Sequence, residues 1–247
     1  MNTFDPEPKN TPFKMEHDFP KIDLENLEYL FKTDDFVIVE NFLSSNTCKE
    51  IRRWVDAHNE TFHVKWSNTK NKKIARMYDF PFSNEILTYL PKIIEKEWEC
   101  EKLNDCWRFV GTSQNASLKD HFDAKYTVSV DKQSKYTIMI YLSEHTEDGT
   151  LVIKSDKGDV RIQPKEGLLV IFNQNLEHRG ENNKEPKYFM RSEVMYHRTR
   201  KSEKDSDKEA MNYYNQAVNL FYENPAESIK LEKRAFELSP SLENIII

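Results

Sequence analysis

Cysteine is scarce in this chain, and its spacing argues against two kinds of scaffold. The sequence contains three cysteines, Cys48, Cys100 and Cys106, and no Cys-x-x-Cys pair. A disulfide framework or a cysteine zinc site requires more cysteines or closer spacing. We therefore expect free thiols and a reducing compartment.

An excess of basic charge is also absent. The chain has 36 Lys and Arg residues against 42 Asp and Glu residues, which gives a formal net charge of -6. Nucleic-acid-binding proteins usually carry a basic surface, and this balance does not supply one. We expect no nucleic-acid partner.

Long apolar runs are missing as well. No run reaches the length of a membrane-spanning helix, about 20 residues, and the first 30 residues lack the apolar core of a signal peptide. The expected location is cytoplasmic, with no membrane partner. Residues 1–34 are predicted to be an N-terminal arm, because Pro6, Pro8, Pro12 and Pro20 among scattered charges do not build a core.

The length of 247 residues suits one well-cored domain with a small appendage. A β-rich run at 35–40 leads into a helix that Ser44 or Ser45 is predicted to cap. A second helical pattern covers residues 84–98, where Pro91 is expected to break or kink the helix.

Further along, the pattern changes from helical to β. Six strand candidates separated by turn residues follow, at 107–110, 137–142, 150–153, 160–163, 168–172 and 187–196. Many short strands after a helical lead-in predict a mainly β fold with flanking helices (α+β). The architecture they favour is a double-sheet jelly roll with helices on one outer face.

The centre of the chain carries the tripeptide His121-Phe122-Asp123. A histidine and an aspartate two positions apart on an extended segment point to the same side. The tripeptide alone is a weak motif, but His178 follows the strand candidate at 168–172. Two histidines and one carboxylate form the facial triad that holds non-haem Fe(II). We predict a metal site of His121, Asp123 and His178.

Several segments occur in a characteristic order. They are Trp107-Arg-Phe-Val110, His121-Phe-Asp123, Ile140-Tyr-Leu-Ser143, Glu147-Asp-Gly-Thr150, Pro164–Phe172, His178-Arg-Gly180 and Lys187–Tyr196. This order resembles the Fe(II)/2-oxoglutarate-dependent dioxygenases of the prolyl 4-hydroxylase-like branch. With the lead-in from Phe36 to Ile51, the resemblance covers residues 35–198 as one dioxygenase domain.

The resemblance implies a double-stranded β-helix (jelly roll) that uses Fe(II), 2-oxoglutarate and O2, with ascorbate (vitamin C) as a further cofactor candidate. It also implies oxidative decarboxylation of 2-oxoglutarate to succinate and CO2, coupled to hydroxylation of a substrate. This chemistry requires no side-chain base, so we expect no catalytic residue beyond the metal centre.

The distal carboxylate of 2-oxoglutarate is buried in such a barrel and requires a cation. Lys187 and Arg191 share strand parity, so both are expected to point inward. Lys187 fits the family's basic position best, whereas Arg191 offers a bidentate fork and is the alternative. Tyr141 matches the family tyrosine that helps to hold this carboxylate, with ordinary barrel core as its other interpretation. The basic residue not used as the anchor is expected in a surface salt bridge.

Two departures from the family pattern concern the substrate more than the metal. The usual Gly-Gly pair is replaced by Asp148-Gly149, and an Arg-Tyr pair is replaced by Val110-Gly111. The second change removes an aromatic side chain from the expected substrate pocket.

Of the other five histidines, four lack a carboxylate at ligand spacing on a matching face, and His58 belongs to the apolar face of a predicted helix. We expect His58 at the edge of the first helix's packed face, and the remaining four at the surface: His17, His63, His145 and His197.

The C-terminal region has its own organisation. Residues 199–208 are predicted to be a charged linker. Residues 209–247 resemble a single tetratricopeptide-like unit, which forms a helical hairpin. One unit does not make a solenoid, so the hairpin either packs on the barrel or a second copy, or serves as a partner-binding appendage.

Two classes of function follow. The favoured one is a dioxygenase that hydroxylates a prolyl or other residue of a protein or peptide, with a small-molecule hydroxylase of the same family as a variant. The rival is a non-catalytic jelly-roll binding module whose hairpin binds a partner. A complete triad with a nearby cation favours catalysis, since a binding module has no need of all four residues.

Overall fold

The computed structural model describes residues 29–32, 35–57, 63–64, 72–77, 83, 86–87, 97–145, 147–156, 158–200 and 203–246. Most of the predicted N-terminal arm, His17, His58, the side chain of His63 and most of the helical pattern at 84–98 lie outside them. No helix in these ranges has the length and hydrophobicity needed to span a membrane.

The part of the chain that the structure describes forms two antiparallel sheets, with strands numbered along the chain. The larger sheet has ten strands: β1 (Tyr29–Lys32), β2 (Phe36–Val39), β3 (His63–Val64), β4 (Lys72–Met77), β5 (Trp98–Leu103), β6 (Trp107–Thr112), β8 (Thr127–Ser129), β9 (Lys132–Tyr141), β12 (Leu169–Asn173) and β14 (Lys187–Arg198). The smaller sheet has four: β7 (Leu118–His121), β10 (Leu151–Ile153), β11 (Val160–Ile162) and β13 (His178–Gly180).

The strand order follows the crossed connections of a jelly roll. The larger sheet runs β1-β2-β12-β9-β14-β6-β4-β3, with β5 paired to β14 and β8 paired to β9. The smaller sheet runs β11-β10-β13-β7. The mainly β jelly-roll prediction is confirmed, and all six strand candidates are present.

Strand alternation divides the core between the two faces of the larger sheet. On β9, Ile138 and Ile140 pack in the cluster that includes Cys48 and Ile51 of the first helix. Met139 and Tyr141 point the other way, into the cluster shared with the smaller sheet. Because both faces are covered, β9 is almost completely buried.

Within the described ranges, four helices have defined bounds: α1 (Ser45–Ala57), α2 (Asp205–Leu220), α3 (Pro225–Leu238) and α4 (Pro240–Ile246). Ser44 caps α1 as predicted, because its Oγ accepts a hydrogen bond from the Thr47 amide at 3.1 Å. Helix α2 begins inside the segment predicted to be a charged linker.

The α2–α3 pair forms the predicted C-terminal hairpin and packs on the barrel. Its apolar face, with Ala210, Met211 and Ala235, shares a core cluster with Val130, which lies between β8 and β9. Leu242 of α4 completes this cluster. The apolar face is therefore buried mainly among the C-terminal helices, and Val130 joins it to the barrel.

One part of the helical prediction at 84–98 is wrong. Ile86 and Leu87 are helical, but Trp98 begins strand β5. Trp98 and Leu103 at the two ends of β5 are buried, and Glu99 and Glu101 between them are exposed. The backbone of β5 pairs with β14. Tertiary pairing with a long strand, which local periodicity does not reveal, sets the conformation here.

Gly167 precedes β12 at a point where two segments touch. Its φ is +82°, and a Cβ atom there would lie 2.1 Å from the carbonyl oxygen of Leu43. The Leu43 amide donates to the Gly167 carbonyl at 3.2 Å. This close approach joins the entrance of α1 to the larger sheet and requires glycine.

Substitution Gly167→Ala is expected to lower the free energy of unfolding by about 3 kcal/mol, because it combines a left-handed φ with a backbone clash. Gly158→Ala is the matched control, since its φ is +108° and no atom of the described residues beyond its chain neighbours lies within 4 Å of the added Cβ. It is expected to cost about 1 kcal/mol. Urea unfolding measures both values, and equal losses would contradict the proposed clash.

Candidate active site

The three predicted metal ligands meet because of one strand register. Strand β13 pairs with β7 so that His178 lies opposite His121, and the two ring centroids are 4.2 Å apart. Asp123 follows β7 by two residues. One ligand atom from each of the three residues lies within 4.8 Å of the others, so the structure brings together the whole predicted set.

Backbone carbonyls orient both imidazoles. Nδ1 of His121 lies 2.9 Å from the Lys119 carbonyl oxygen, and Nδ1 of His178 lies 3.1 Å from that of Leu176. Donation from Nδ1–H leaves the lone pair on Nε2, the atom that faces Asp123 in each ring. Burial is the main influence on the pKa of His178 and lowers it, which favours the neutral, metal-binding form.

Two side chains hold the Asp123 carboxylate. The Thr137 hydroxyl donates to Oδ2 at 2.7 Å, and the Arg191 guanidinium donates to Oδ1 at 2.9 Å. Burial alone raises the pKa of Asp123, but Arg191, His178 and Thr137 outweigh it, so the pKa lies well below its usual range. The carboxylate is therefore ionised at neutral pH and fixed in direction.

A cavity between the two sheets contains this cluster. Alternate residues of β9 and β14 line it, as strand geometry requires. They are Thr137, Met139 and Tyr141 on β9 and Lys187, Phe189 and Arg191 on β14. The inward direction predicted for Tyr141, Lys187 and Arg191 is observed.

The two candidate cations have different partners. Arg191 bonds Asp123 and also lies 3.8 Å from Glu193, whereas the Lys187 ammonium donates to the Gly149 carbonyl at 2.8 Å. Lys187 is 7% exposed and Tyr141 is 1% exposed. Burial raises the pKa of Tyr141, so its hydroxyl stays protonated.

A network behind Arg191 fixes its position. The Glu193 carboxylate pairs with both Arg191 and Arg108. It also accepts a hydrogen bond from the side-chain amide of Asn104 at 2.8 Å. These contacts place the Arg191 guanidinium at the metal-ligand cluster. We predicted a surface salt bridge for whichever of Lys187 and Arg191 does not bind the cosubstrate. Arg191 does not form one with Asp123, because Asp123 is buried.

Gly149 lies in the turn beside Lys187 and has the left-handed backbone conformation that favours glycine. Its φ is +65°, and a Cβ atom there would lie 3.4 Å from Cδ and Nζ of Lys187. The preceding Asp148 accepts from the Lys184 amide at 2.6 Å. The Asp148-Gly149 pair therefore still forms a turn beside the cavity, as expected for the Gly-Gly pair that it replaces.

The loop before Gly149 contains a buried histidine where a surface residue was predicted. His145 is 6% exposed. Its Nδ1 lies 2.9 Å from Oδ1 of Asp148, and its Nε2 lies 3.3 Å from the Ser143 hydroxyl. Local hydrogen bonds within a tight loop satisfy the imidazole, and the expectation that a loop histidine lies at the surface does not take them into account.

Thr137 is a site residue that the sequence interpretation missed and that contacts a predicted ligand directly. It lies two and four positions before Met139 and Tyr141 on the same strand. Because Tyr141 was expected to face the cavity, strand parity was the signal that placed Thr137 on the same face.

Known proteins share the pattern and the fold. Residues 107–214 match the family model described as the 2OG-Fe(II) oxygenase superfamily. No curated protein matches the chain. The family model confirms the resemblance to Fe(II)/2-oxoglutarate dioxygenases stated from the sequence.

Solved structures of similar fold include three prolyl hydroxylases. A Pseudomonas putida prolyl-4-hydroxylase gives a TM-score of 0.51 at 15% identity, over 68% of this chain and 94% of that one. A Trichoplax adhaerens prolyl hydroxylase with a hypoxia inducible factor peptide gives 0.50 at 16%, over 66% and 84%. A Phytophthora capsici prolyl 4-hydroxylase gives 0.50 at 15%, over 95% and 92%.

Substitution Thr137→Val is expected to weaken Co²⁺ binding about tenfold, because an unheld carboxylate loses part of its orientation toward the metal. Thr127→Val is the control, since the Thr127 hydroxyl has no hydrogen-bond partner among the described residues. Calorimetric titration with Co²⁺ measures both affinities. Equal affinities for the two variants would show that Thr137 does not support the site.

Proposed function

We propose that this protein, whose residues 107–214 match the 2OG-Fe(II) oxygenase superfamily, is an Fe(II)- and 2-oxoglutarate-dependent dioxygenase. In this proposal it hydroxylates a prolyl or other residue of a protein or peptide and releases succinate and CO2. The observation that carries the proposal is the His121–Asp123–His178 cluster inside a cavity that Lys187 also lines.

The donor set fits Fe(II). Two imidazole Nε2 atoms and one carboxylate are the ligands of the facial triad, which leaves positions open for a cosubstrate and oxygen. The ionised Asp123 and the neutral form favoured for His178 supply lone pairs without first losing a proton. When bound, the iron and 2-oxoglutarate supply the oxidative chemistry, and the protein supplies orientation and a shielded cavity.

Lys187 is the proposed anchor for the distal carboxylate of 2-oxoglutarate. The positive charge of Arg191 is already used by the carboxylates of Asp123 and Glu193. Lys187 is buried in the cavity wall, where an ammonium stabilises a buried carboxylate strongly. In this proposal Tyr141 lies beside the anchor, and Arg191 orients Asp123.

The exposure of the cluster supports a large substrate. The side chains of Asp123 and His178 are 4% and 5% exposed, whereas that of His121 is 29% exposed. The neighbouring Phe122 is 60% exposed. The site therefore opens on the His121 side, where a residue of a polypeptide can enter, and the Trichoplax protein of similar fold holds a peptide.

Ascorbate and a cytoplasmic location belong to the same proposal. An Fe(II) enzyme requires its iron to stay reduced, and ascorbate is a reductant of suitable chemistry. The three cysteines are free thiols, which supports a reducing compartment.

Substitution His178→Ala is expected to reduce succinate formation from 2-oxoglutarate at least 100-fold, because two protein ligands hold Fe(II) poorly. The assay contains Fe(II), air and no other substrate, so it detects uncoupled turnover. His197→Ala is the control, since His197 has a 43% exposed side chain and pairs with Glu99. Turnover retained in His178→Ala, or none in the wild type, would refute the dioxygenase.

Exchange of each cation for methionine separates their roles. Lys187→Met is expected to raise the 2-oxoglutarate concentration for half-maximal rate about 100-fold, because a buried carboxylate loses its partner. Arg191→Met is expected to raise mainly the Fe(II) concentration required, since it acts through Asp123. Succinate assays at varied 2-oxoglutarate and Fe(II) give both values. The reverse pattern would make Arg191 the anchor.

A further inference from the structure

A chain of buried hydrogen bonds lies behind the Asp123 carboxylate. The Ser134 hydroxyl donates to Oε1 of Gln174 at 2.8 Å, and Nε2 of Gln174 lies 3.5 Å from Oγ1 of Thr137. The Thr137 hydroxyl donates in turn to Asp123. Ser134, Gln174 and Thr137 are each no more than 1% exposed. Since bulk water does not reach these polar groups, they must satisfy one another.

A bulge in β9 brings Ser134 and Thr137 to the same side of the strand. Residues three positions apart on a regular strand face opposite sides. The register between β9 and β14 shifts by one residue at Lys135, however, and such a bulge re-aims the neighbouring side chains. The Lys135 carbonyl accepts a hydrogen bond from the Gln174 backbone amide at 2.9 Å. The same irregularity therefore presents both hydroxyls to Gln174 and holds its backbone.

The direction of the hydrogen bonds is set at the far end of the chain. The Tyr126 amide donates to Oγ of Ser134 at 2.7 Å, which occupies a lone pair and leaves the single hydroxyl proton of Ser134 for Gln174. Because Oε1 of Gln174 accepts this proton, the NH2 group of Gln174 faces Thr137. That NH2 group meets a lone pair of the Thr137 hydroxyl, so the hydroxyl proton is directed to Asp123.

The opposite orientation of the Gln174 amide would weaken the contact between Thr137 and Asp123. Oε1 of Gln174 would then face Thr137 and compete with the carboxylate for one hydroxyl proton. Asp123 would lose a hydrogen bond to a buried charge, which is among the stronger kinds of hydrogen bond. The amide therefore acts through its orientation, although its contact with Thr137 is the longest in the chain.

We propose that Gln174 is a positioning residue for the metal site. Its side-chain amide directs the Thr137 hydroxyl, which in turn holds the Asp123 carboxylate toward the metal. Gln174 does not line the cavity, so this role requires no contact with substrate or cosubstrate. The inference rests on the proposed function, since it takes the His121–Asp123–His178 cluster as a metal site.

Substitution Gln174→Met keeps the length of the side chain and removes both of its hydrogen bonds, while the backbone bond to Lys135 is retained. Calorimetric titration is expected to show about threefold weaker Co²⁺ binding, because the carboxylate is oriented less firmly. Gln133→Met is the matched control and is expected to keep the wild-type affinity. Gln133 is 5% exposed, and its Oε1 atom has no hydrogen-bond partner among the described residues. Wild-type affinity in Gln174→Met, or an equal loss in both variants, would overturn the proposal.

A double-mutant cycle with Thr137→Val shows whether Gln174 acts through Thr137. In the Thr137→Val background the hydroxyl is absent, so the addition of Gln174→Met is expected to change the Co²⁺ affinity by less than about 1.5-fold. A merely structural loss would lower the affinity equally in both backgrounds. Additive effects would therefore contradict the positioning role.

The visible absorption spectrum of bound Co²⁺ reports on the ligands themselves. We expect Gln174→Met and Thr137→Val to change this spectrum in the same way, and Gln133→Met to leave it as in the wild type. An unchanged spectrum in Gln174→Met would count against the proposal.

Ser134→Ala tests the same chain of hydrogen bonds if Gln174→Met does not fold. This substitution removes the hydroxyl that sets the orientation of the amide, so Co²⁺ binding is expected to weaken about twofold. The loss is expected to disappear in the Thr137→Val background. Equal Co²⁺ affinities of Ser134→Ala and the wild type would then overturn the proposal.

Three outcomes separate this inference from the proposed function. A coupled loss of Co²⁺ affinity with no succinate formation in the wild type would support the role of Gln174 and refute the dioxygenase. Succinate formation with additive losses would do the reverse. A wild-type protein that binds no Co²⁺ would overturn both.

Discussion

The buried carboxylate of Asp123 is the constraint on which the rest of the site depends. Removing a charge from water is costly unless opposite charge and hydrogen bonds surround it. Thr137 and Arg191 supply these contacts from β9 and β14, the two central strands of the larger sheet. The register of β7 with β13 then brings His121 and His178 to the same point. The cluster is thus held by both sheets of the jelly roll, and its geometry follows from strand pairing.

The arrangement of cations follows from the same constraint. Arg191 is anchored by Glu193, which Arg108 and Asn104 hold in turn, so its guanidinium is directed at the carboxylate. Lys187 occupies another part of the cavity wall, beside Gly149. In our account this separation gives each cation a single role, since Arg191 orients a metal ligand and Lys187 binds the cosubstrate. A single strand with inward residues at alternate positions supplies both.

Much of this site was predictable because short-range rules decide it. Strand alternation predicted the inward direction of Lys187 and Arg191, the family resemblance indicated Tyr141, and the triad chemistry selected His121, Asp123 and His178. What local pattern does not contain is pairing between distant segments, and Trp98 joins a strand because β14 lies beside it. The burial of His145 likewise depends on contacts with Ser143 and Asp148 that only the folded loop creates.

The most direct test of the account is anaerobic addition of Fe(II) and 2-oxoglutarate to the purified protein, followed by visible absorption spectroscopy. A keto acid chelated to Fe(II) gives a charge-transfer band before any oxygen reacts, so the measurement depends on no substrate. The account predicts a band in the wild type, none in His178→Ala, and in Lys187→Met a band that appears only at much higher 2-oxoglutarate concentration. Absence of the band in the wild-type protein, whether or not Fe(II) and 2-oxoglutarate bind, would contradict the proposed metal and cosubstrate site.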